Sequence, residues 1–355
     1  MSSLPLSTRL EGLPPYVPGR RPEGGQADRT ARLASNESPW APHQTVVAAM
    51  RSAADDAHRY PDMQYVELRA RIAETVGVSP DTVAVANGST ALLRDIFAAV
   101  LEVGSEVVFA EPSFAYYRSG ILLAGGVPVC VPLRDHAHDL DAMHAAVTPA
   151  TRAVVVCNPN NPTGTVVSES DLERFVERIP CHVAVILDEA YVEFADRVDG
   201  LRIARRHDNV IVTRTLSKAH GLAGIRVGYA VGAAAVIEAV SRVGVPFRID
   251  AISNAGALAA LTEAVREDTA QRVAHLIEER ERVARALSSK GWTVVPSSAN
   301  FLFLPIGDSA GATAAEWADR GVLVRPIAGG LRITIGSPED NAQLLGVVPD
   351  RGDSA

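Results

Sequence analysis

Lys218 ends the run Val210-Ile211-Val212-Thr213-Arg214-Thr215-Leu216-Ser217-Lys218, just past an apolar stretch and among small residues. A lysine so placed can have a depressed pKa and form imines with carbonyl compounds. Most lysines are solvated surface charges, so this one carries weight only in company. Asp188 supplies some of it. It ends a second apolar stretch, Val185-Ile186-Leu187, and opens Asp188-Glu189-Ala190-Tyr191. A buried carboxylate is costly unless it meets a cation or strong donors. Asp188 therefore suits a cationic ring nitrogen, and Tyr191 a nearby oxyanion. An ion pair with an arginine is the plain structural alternative.

Two more segments lie where apolar stretches stop. Val83-Ala84-Val85-Ala86 leads through Asn87-Gly88 to Ser89-Thr90 and a helical stretch. The free N–H groups and dipole of a helix start attract anions, although read alone the segment is explained by an ordinary cap. Cys157-Asn158-Pro159-Asn160-Asn161-Pro162-Thr163-Gly164 puts three Asn and two Pro into eight residues, more than a turn needs. It follows a strand-like run, and α/β folds collect ligands at the carboxyl edge of their sheets. Gly221, Gly224 and Arg226 follow Lys218, and Arg226 is a natural phosphate fork. A phosphate cradle, an acid for a pyridinium, donors for a phenolate and an imine-forming lysine are together what pyridoxal 5′-phosphate requires.

Such groups need a scaffold to bring them together. Short apolar runs recur at 83–86, 106–110, 127–131, 153–157, 183–187, 210–213 and 226–231. Most do not alternate with polar residues, which fits strands buried on both faces of a mainly parallel sheet flanked by helices. Helices are predicted over 46–57, 66–76, 91–101 and 168–179, the last opening on Ser168 with Asp171 three residues on. This alternation reads as α/β. After Pro246 the texture changes to long helices over 251–287, strands at 292–295, 301–304, 322–324 and 331–335, and a helix over 312–320. The expected organisation is an N-terminal arm, 1–42, packing with the small domain or a partner subunit. A large cofactor-binding domain, 43–247, and a small α+β C-terminal domain, 248–355, complete it. The tail 349–355 is expected to be disordered, and its Arg351-Gly352-Asp353 is a chance tripeptide.

Composition narrows the classes. The 355 residues allow two domains, and 47% apolar with 21% charged residues is ordinary for a soluble globular chain. The net charge of −8 counts against a general nucleic-acid binder. No apolar run approaches the roughly 18 residues of a membrane span. Residues 1–15 lack a basic region followed by an apolar one, so no signal peptide is expected. Cys130, Cys157 and Cys181 are far apart and form no CxxC pair, which argues against a disulfide framework or zinc site and for the cytoplasm. His136-Ala137-His138-Asp139-Leu140-Asp141 has metal-ligand types but no second cluster, so it reads as a solvated loop and no metal is expected. Neither a G-x-G-x-x-G nor a Walker A pattern occurs.

In this order the segments resemble the class I/II, fold-type I aminotransferases almost end to end. The resemblance is greatest to the histidinol-phosphate branch with its aromatic amino-acid relatives. Its further marks are Leu13-Pro14-Pro15-Tyr16-Val17-Pro18-Gly19, Leu33-Ala34-Ser35-Asn36-Glu37, Arg59-Tyr60-Pro61-Asp62 and Leu331-Arg332-Ile333-Thr334. The resemblance implies a homodimer with shared sites. It implies that Lys218 holds the cofactor and carries the substrate α-proton, and that Asp188 pairs with the pyridinium. Asn161 and Tyr191 would bind the phenolate oxygen. Ser89, Thr90, Ser217 and Arg226 would hold the phosphate, joined by Tyr60 from the neighbouring subunit. Phe114 would stack on the ring. Arg332 would bind the substrate carboxylate, or the phosphate of histidinol phosphate, with Tyr16, Asn36 and Arg325 as further substrate contacts.

Several positions depart from that pattern. Thr90-Ala91 stands where the branch continues with Asn or Asp and then Glu, Arg94 where Gln is common, and Phe114 where Tyr is frequent. Pro246-Phe247-Arg248-Ile249-Asp250 brings charge where small or amide residues are usual. If Arg94 or Arg248 faced the pocket, the substrate would carry extra negative charge; a local ion pair is the favoured alternative for each. The implied activity is transfer of an amino group between an aromatic amino acid, or histidinol phosphate, and a 2-oxo acid. A decarboxylase, eliminating enzyme or cyclase of the same fold uses the same ring electronics and is the alternative. A non-catalytic cofactor-binding module fused to a DNA-binding domain fits poorly with a chain of net charge −8 and no basic helix-turn-helix extension.

Overall fold

The computed structural model describes residue 13 and residues 30–196, 198–327 and 329–351. Tyr16 and the expected tail beyond residue 351 lie outside the described residues. The first half of the chain runs β1 (Ala31–Arg32), α1 (Gln44–Ala54), α2 (Val66–Val76), β2 (Val83–Ala86), α3 (Ser89–Val100), β3 (Glu106–Glu111), α4 (Tyr116–Leu123) and β4 (Val127–Pro132). It continues with α5 (Leu140–Ala145), β5 (Thr151–Cys157), α6 (Glu169–Arg178), β6 (Ala184–Asp188), α7 (Gly200–Ala204), β7 (Val210–Thr215) and β8 (Gly228–Val231). Then come α8 (Ala234–Val243), α9 (Ala251–Ala260), α10 (Glu263–Ser289), β9 (Phe301–Leu304) and α11 (Ala310–Asp319). The last elements are β10 (Val322–Leu323), β11 (Arg325–Ile327), β12 (Gly330–Thr334) and α12 (Pro338–Val347).

Seven strands form the main sheet in the order β2-β8-β7-β6-β5-β3-β4. Only β8 runs against its neighbours; the pairs from β7 to β4 are parallel. The unalternated apolar runs are explained by two cores, one on each face. Val85, Val108, Val154, Val156, Val185, Leu187 and Val212 pack under α1, α2, α5, α6, α7 and α9. Their sequence neighbours Ala84, Val107, Phe109, Val155, Ile186 and Ile211 pack under α3, α4 and α8. Each large side chain so buried contributes about 2 kcal/mol. A polar residue at either kind of position would therefore be costly, which is why the strands read as continuous apolar runs.

A third core joins the three-stranded antiparallel sheet β11-β12-β9 to α10, α11 and α12 around the fully buried Trp317. The start of the chain belongs to this core. β1 pairs in parallel with β10, and the Leu33 N–H donates to Leu323 O while its carbonyl accepts from the Thr334 N–H. In contrast, α9 packs with the main sheet through Ala257, Ala259 and Ala260, and α10 passes from that core at Val265 to the third at Val273 and beyond.

Several sequence expectations need correction. No strand forms at 292–295. The Trp292 N–H bonds to the Leu287 carbonyl at the end of α10, its indole N–H bonds to Pro349 O, and only Val295 bridges to Phe303. The strand expected from 226 begins at Gly228, because Arg226 is left-handed at φ 52° and cannot extend the ladder. Residues 349–351 are held: Arg351 N donates to Lys290 O, and its guanidinium lies 3.9 Å from the centre of the Trp292 ring. The helices α4, α5, α7 and α12 carry too short or too mixed a stripe to have been read, whereas α8, ten residues with Ile237 and Val240 buried, was missed despite a regular stripe.

Candidate active site

Strand direction alone gathers the chemistry on one edge. In the parallel strands, Asp188 is the last residue of β6 and pairs in register with Cys157, the last of β5, and with Thr213 near the end of β7. The loop carrying Asn161 follows β5, Phe114 follows β3, and Ser217 and Lys218 follow β7. β8 is antiparallel, so its start lies on this same edge: Gly228 pairs with Thr215 of β7 and Ala86 of β2. Arg226 therefore precedes β8 beside the turn from β2 into α3.

A cavity of about 240 Å³ opens at that edge. Of the predicted residues, Lys218, Ser89, Thr90, Phe114, Asn161, Asp188, Tyr191, Ser217, Arg226, Asn36, Arg325 and Arg332 line it. Tyr60 does not: it is 82% exposed and stacks on Phe247, ring centres 4.5 Å apart. Tyr16 falls outside the described residues. Sequence reading missed Ser35, Ser113, Cys157, Thr215 and Ile327 in the lining. Ser35, Cys157 and Thr215 lie inside segments that were read and Ser113 precedes Phe114; nothing local marks Ile327, which comes from β11.

At one end lies an anion cradle. Gly88 precedes α3 with φ 78° and has no side chain to cap the helix, so its first N–H groups stay available. Glycine is needed there because φ 78° with ψ 167° is a conformation open essentially to glycine alone, and an added Cβ would also stand 2.7 Å from Arg226 Nη2. Arg226 Nη1 donates to Ser217 Oγ at 3.2 Å and to Ala223 O at 3.1 Å. The Thr215 hydroxyl also donates to Ser217 Oγ, at 3.0 Å.

At the other end is the acid. Asp188 is buried, and among the described residues no cation pairs with it. Burial pushes its carboxyl upward, while hydrogen bonds from Tyr117, Thr213 and the Ala190 backbone oppose that shift. The Tyr117 hydroxyl donates to Asp188 Oδ2 at 2.7 Å. Tyr117 was not read from the sequence; its only signal is a place three residues after Phe114.

Between the two ends, Lys218 Nζ donates to Ser35 O at 3.3 Å and lies 5.8 Å from the centre of the Tyr191 ring. Burial lowers its pKa to about 7, helped by the charges of Arg332 and Arg226 and opposed by Glu37. Burial also pushes Tyr191 up to about 12, so it stays a phenol. Asn36 Nδ2 donates to the Tyr191 oxygen at 2.9 Å, which leaves the phenol proton for another acceptor. Arg332 Nη1 donates to Asn161 Oδ1 at 2.7 Å, which turns the amide nitrogen of Asn161 into the remaining donor. Thr334 Oγ1 accepts from Asn36 N at 2.9 Å and steadies the whole corner.

Arg94 and Arg248 do not line the cavity. Both bind the buried Asp95, Arg94 Nη2 at 2.7 Å and Arg248 Nη1 at 2.9 Å. The ion-pair reading is the right one, and neither adds charge to the pocket. His136 and His138 also have structural partners. Buried His138 accepts the Cys157 N–H at 3.3 Å, and burial lowers its pKa to about 4. Among the described residues, no group of three or more His, Cys, Asp and Glu is placed to hold a metal.

The donor set fits pyridoxal 5′-phosphate. A buried acid without a cation matches a protonated ring nitrogen, an uncapped helix start beside a guanidinium matches a phosphate, and a near-neutral lysine lies between them.

The family model for aminotransferases of class I and II matches residues 29–348. An aromatic amino acid aminotransferase of Thermobifida fusca is 46% identical over 346 residues, 96% of each chain. One of Mycobacteroides abscessus is 45% identical over 343 residues, covering 96% of this chain and 97% of that protein. Among solved structures, histidinol-phosphate aminotransferase from Sinorhizobium meliloti, in complex with pyridoxal-5′-phosphate, superposes with TM-score 0.86 at 29% identity. It covers 97% of this chain and 96% of that one. Aspartate aminotransferase from Thermus thermophilus with maleate gives TM-score 0.81 at 26% identity, covering 97% and 100%.

Proposed function

Because this chain belongs to the class I and II aminotransferases, we propose that its amino donor is an aromatic amino acid and its acceptor a 2-oxo acid. It is an aminotransferase of fold type I that uses pyridoxal 5′-phosphate. The observation that carries the donor is the name shared by relatives 44–46% identical along almost the whole chain. The cavity supports it: Arg332 offers a guanidinium for the donor carboxylate, while Phe114 and Ile327 offer apolar surface for a ring. The ion pairs of Arg94 and Arg248 remove the case for a substrate with extra charge.

In this reading the phosphate is held by Arg226, Ser217 and the first turn of α3 with Ser89 and Thr90. Asp188 holds the ring-nitrogen proton, Tyr191 and Asn161 donate to the ring oxygen, and Phe114 covers a ring face. The bound cofactor supplies an electron sink for the pair left when the α-carbon loses its proton. Lys218 Nζ takes that proton and returns it, a task suited to an amine near neutral pKa. Arg332 fixes the carboxylate, which orients the α-hydrogen towards Lys218.

The reading extends to assembly. Tyr60, exposed and outside its own chain's cavity, stacks on exposed Phe247, and exposed Met63, Val66, Val243 and Val245 lie within six residues of one or the other along the chain, apolar surface suited to a second copy. The active unit is then a homodimer in which Tyr60 serves the partner's phosphate site. The three free cysteines fit a reducing cytoplasm, and transamination of aromatic amino acids fits a place in amino-acid biosynthesis. The domain division is arm, large domain and small domain, with the change from large to small falling inside α10 rather than at 248.

Single-turnover mixing of the cofactor-loaded protein with one donor at a time tests the donor. Phenylalanine, tyrosine and tryptophan should convert the cofactor from its aldehyde to its amine form, read by absorbance. Conversion by histidinol phosphate but by none of the three would overturn the aromatic assignment.

A further inference from the structure

Tyr117 lies outside the cavity lining, yet it is the closest hydrogen-bond partner of Asp188. Its hydroxyl, carried on α4, donates to Oδ2 at 2.7 Å, whereas the Thr213 hydroxyl reaches Oδ1 only at 3.4 Å. Tyr117 is fully buried, so water does not compete for the bond. Its ring also meets Phe114 edge to face, centres 5.6 Å apart and planes at 88°. One side chain thus touches both the acid and the aromatic residue read as gripping the cofactor ring.

We propose that Tyr117 is a positioning residue that holds Asp188 Oδ2, keeps the carboxylate ionised and leaves Oδ1 for the cofactor's ring nitrogen. The inference rests on the reading of Asp188 given above. A carboxylate withdrawn from water needs donors to stay charged, and a bond from a hydroxyl to an ionised acceptor is roughly twice as strong as one between neutral groups. The donor must itself be neutral. An arginine in this place would neutralise the charge the ring nitrogen needs, whereas a phenol stabilises it and leaves it intact. Tyr117 keeps its proton because burial, reinforced by the neighbouring Asp188, raises its pKa well above the ordinary value.

The test uses two ligands on the cofactor-free protein: pyridoxal 5′-phosphate and its carbocyclic analogue with C–H in place of the ring nitrogen. Equilibrium dialysis gives both affinities for the unsubstituted protein and for Tyr117→Phe, which keeps the ring and its contact with Phe114. Tyr117→Phe should weaken the true cofactor about tenfold and the analogue by less than about twofold. Equal losses for both ligands would overturn the inference, since a packing defect does not tell nitrogen from C–H. An unsubstituted protein that binds both ligands equally would instead overturn the reading of Asp188. Should Tyr117→Phe fail to fold, the double variant with Asp188→Asn has no buried carboxylate left unpaired. In the Asp188→Asn background the tyrosine change should be nearly silent; a tenfold loss there shows that Tyr117 acts on its own, against the inference.

Discussion

Lys218 and Glu193 are both partly buried with pKa values near 7, and they reach that value from opposite sides. Desolvation removes charge in each case, lowering the amine from 10.5 and raising the carboxyl from 4.5. For Lys218 the consequence is reactivity. The unprotonated amine captures the cofactor aldehyde, so uptake by the cofactor-free protein should accelerate as pH rises and level off above about 7. Stopped-flow absorbance at several pH values checks this; a rate still climbing steeply towards pH 10 would show an ordinary lysine. For Glu193 the consequence is stability. Among the described residues its buried Oε2 has no partner, and Arg214 only partly offsets its desolvation. Between pH 4.5 and 7 the folded chain keeps a proton that the unfolded chain releases, so stability falls as pH rises through that window. Glu193→Gln should therefore stabilise the protein at pH 8, on the order of 2 kcal/mol, and change little at pH 4.5. Thermal unfolding at the two pH values measures the difference; equal effects at both would refute the assignment.

At the scale of elements, the site depends on how three strand ends meet. β2, β8 and β7 pair through Ala86, Gly228 and Thr215, which brings the α3 turn against Arg226. Gly228 permits the contact, since an added Cβ would stand 2.5 Å from Ser89 N. Gly88→Ala meets both a left-handed backbone and the Arg226 guanidinium. It should loosen cofactor binding about tenfold or more through lost phosphate contacts, with little change in affinity for unphosphorylated pyridoxal. Fluorescence titration with both ligands separates these outcomes, and an equal loss for both would place the damage elsewhere. The strands of this sheet were legible because both of their faces are buried, which leaves unbroken apolar runs. The start of β8 was not, because Arg226 takes a left-handed turn at the end of an otherwise strand-like run. The helix α9 looked like part of the second domain because it follows the change in texture at Pro246. Its small residues pack instead on α1 and the main sheet.

For the whole molecule, the proposed homodimer makes a distinctive prediction. Lys218→Ala should lower turnover at least a thousandfold, on the order expected for losing the group that moves the proton, and Tyr60→Ala should weaken cofactor binding in the partner's site. A mixed dimer of the two variants would collect both defects in one site and leave the other intact. Equal mixing with subunit exchange should then restore about a quarter of the unsubstituted activity. No recovery, with exchange verified by mass, would refute the shared site. The motif-bearing groups Ser89, Asn161, Asp188, Tyr191, Ser217 and Lys218 were readable because each lies in a short contiguous run whose residue types are unusual for a plain strand end or turn. That was enough to determine the cofactor and the α/β class. Tertiary structure alone decided the rest. It brought Tyr117 to Asp188 across 71 residues of chain and Arg332 to Asn161 across 171. It turned Arg94 and Arg248 to Asp95 and away from the cavity, and left Tyr60 outside its own chain's site. The physical reason is that local sequence dictates conformation and burial over a few residues, whereas a side chain's partner depends on which distant elements the packed core brings beside it.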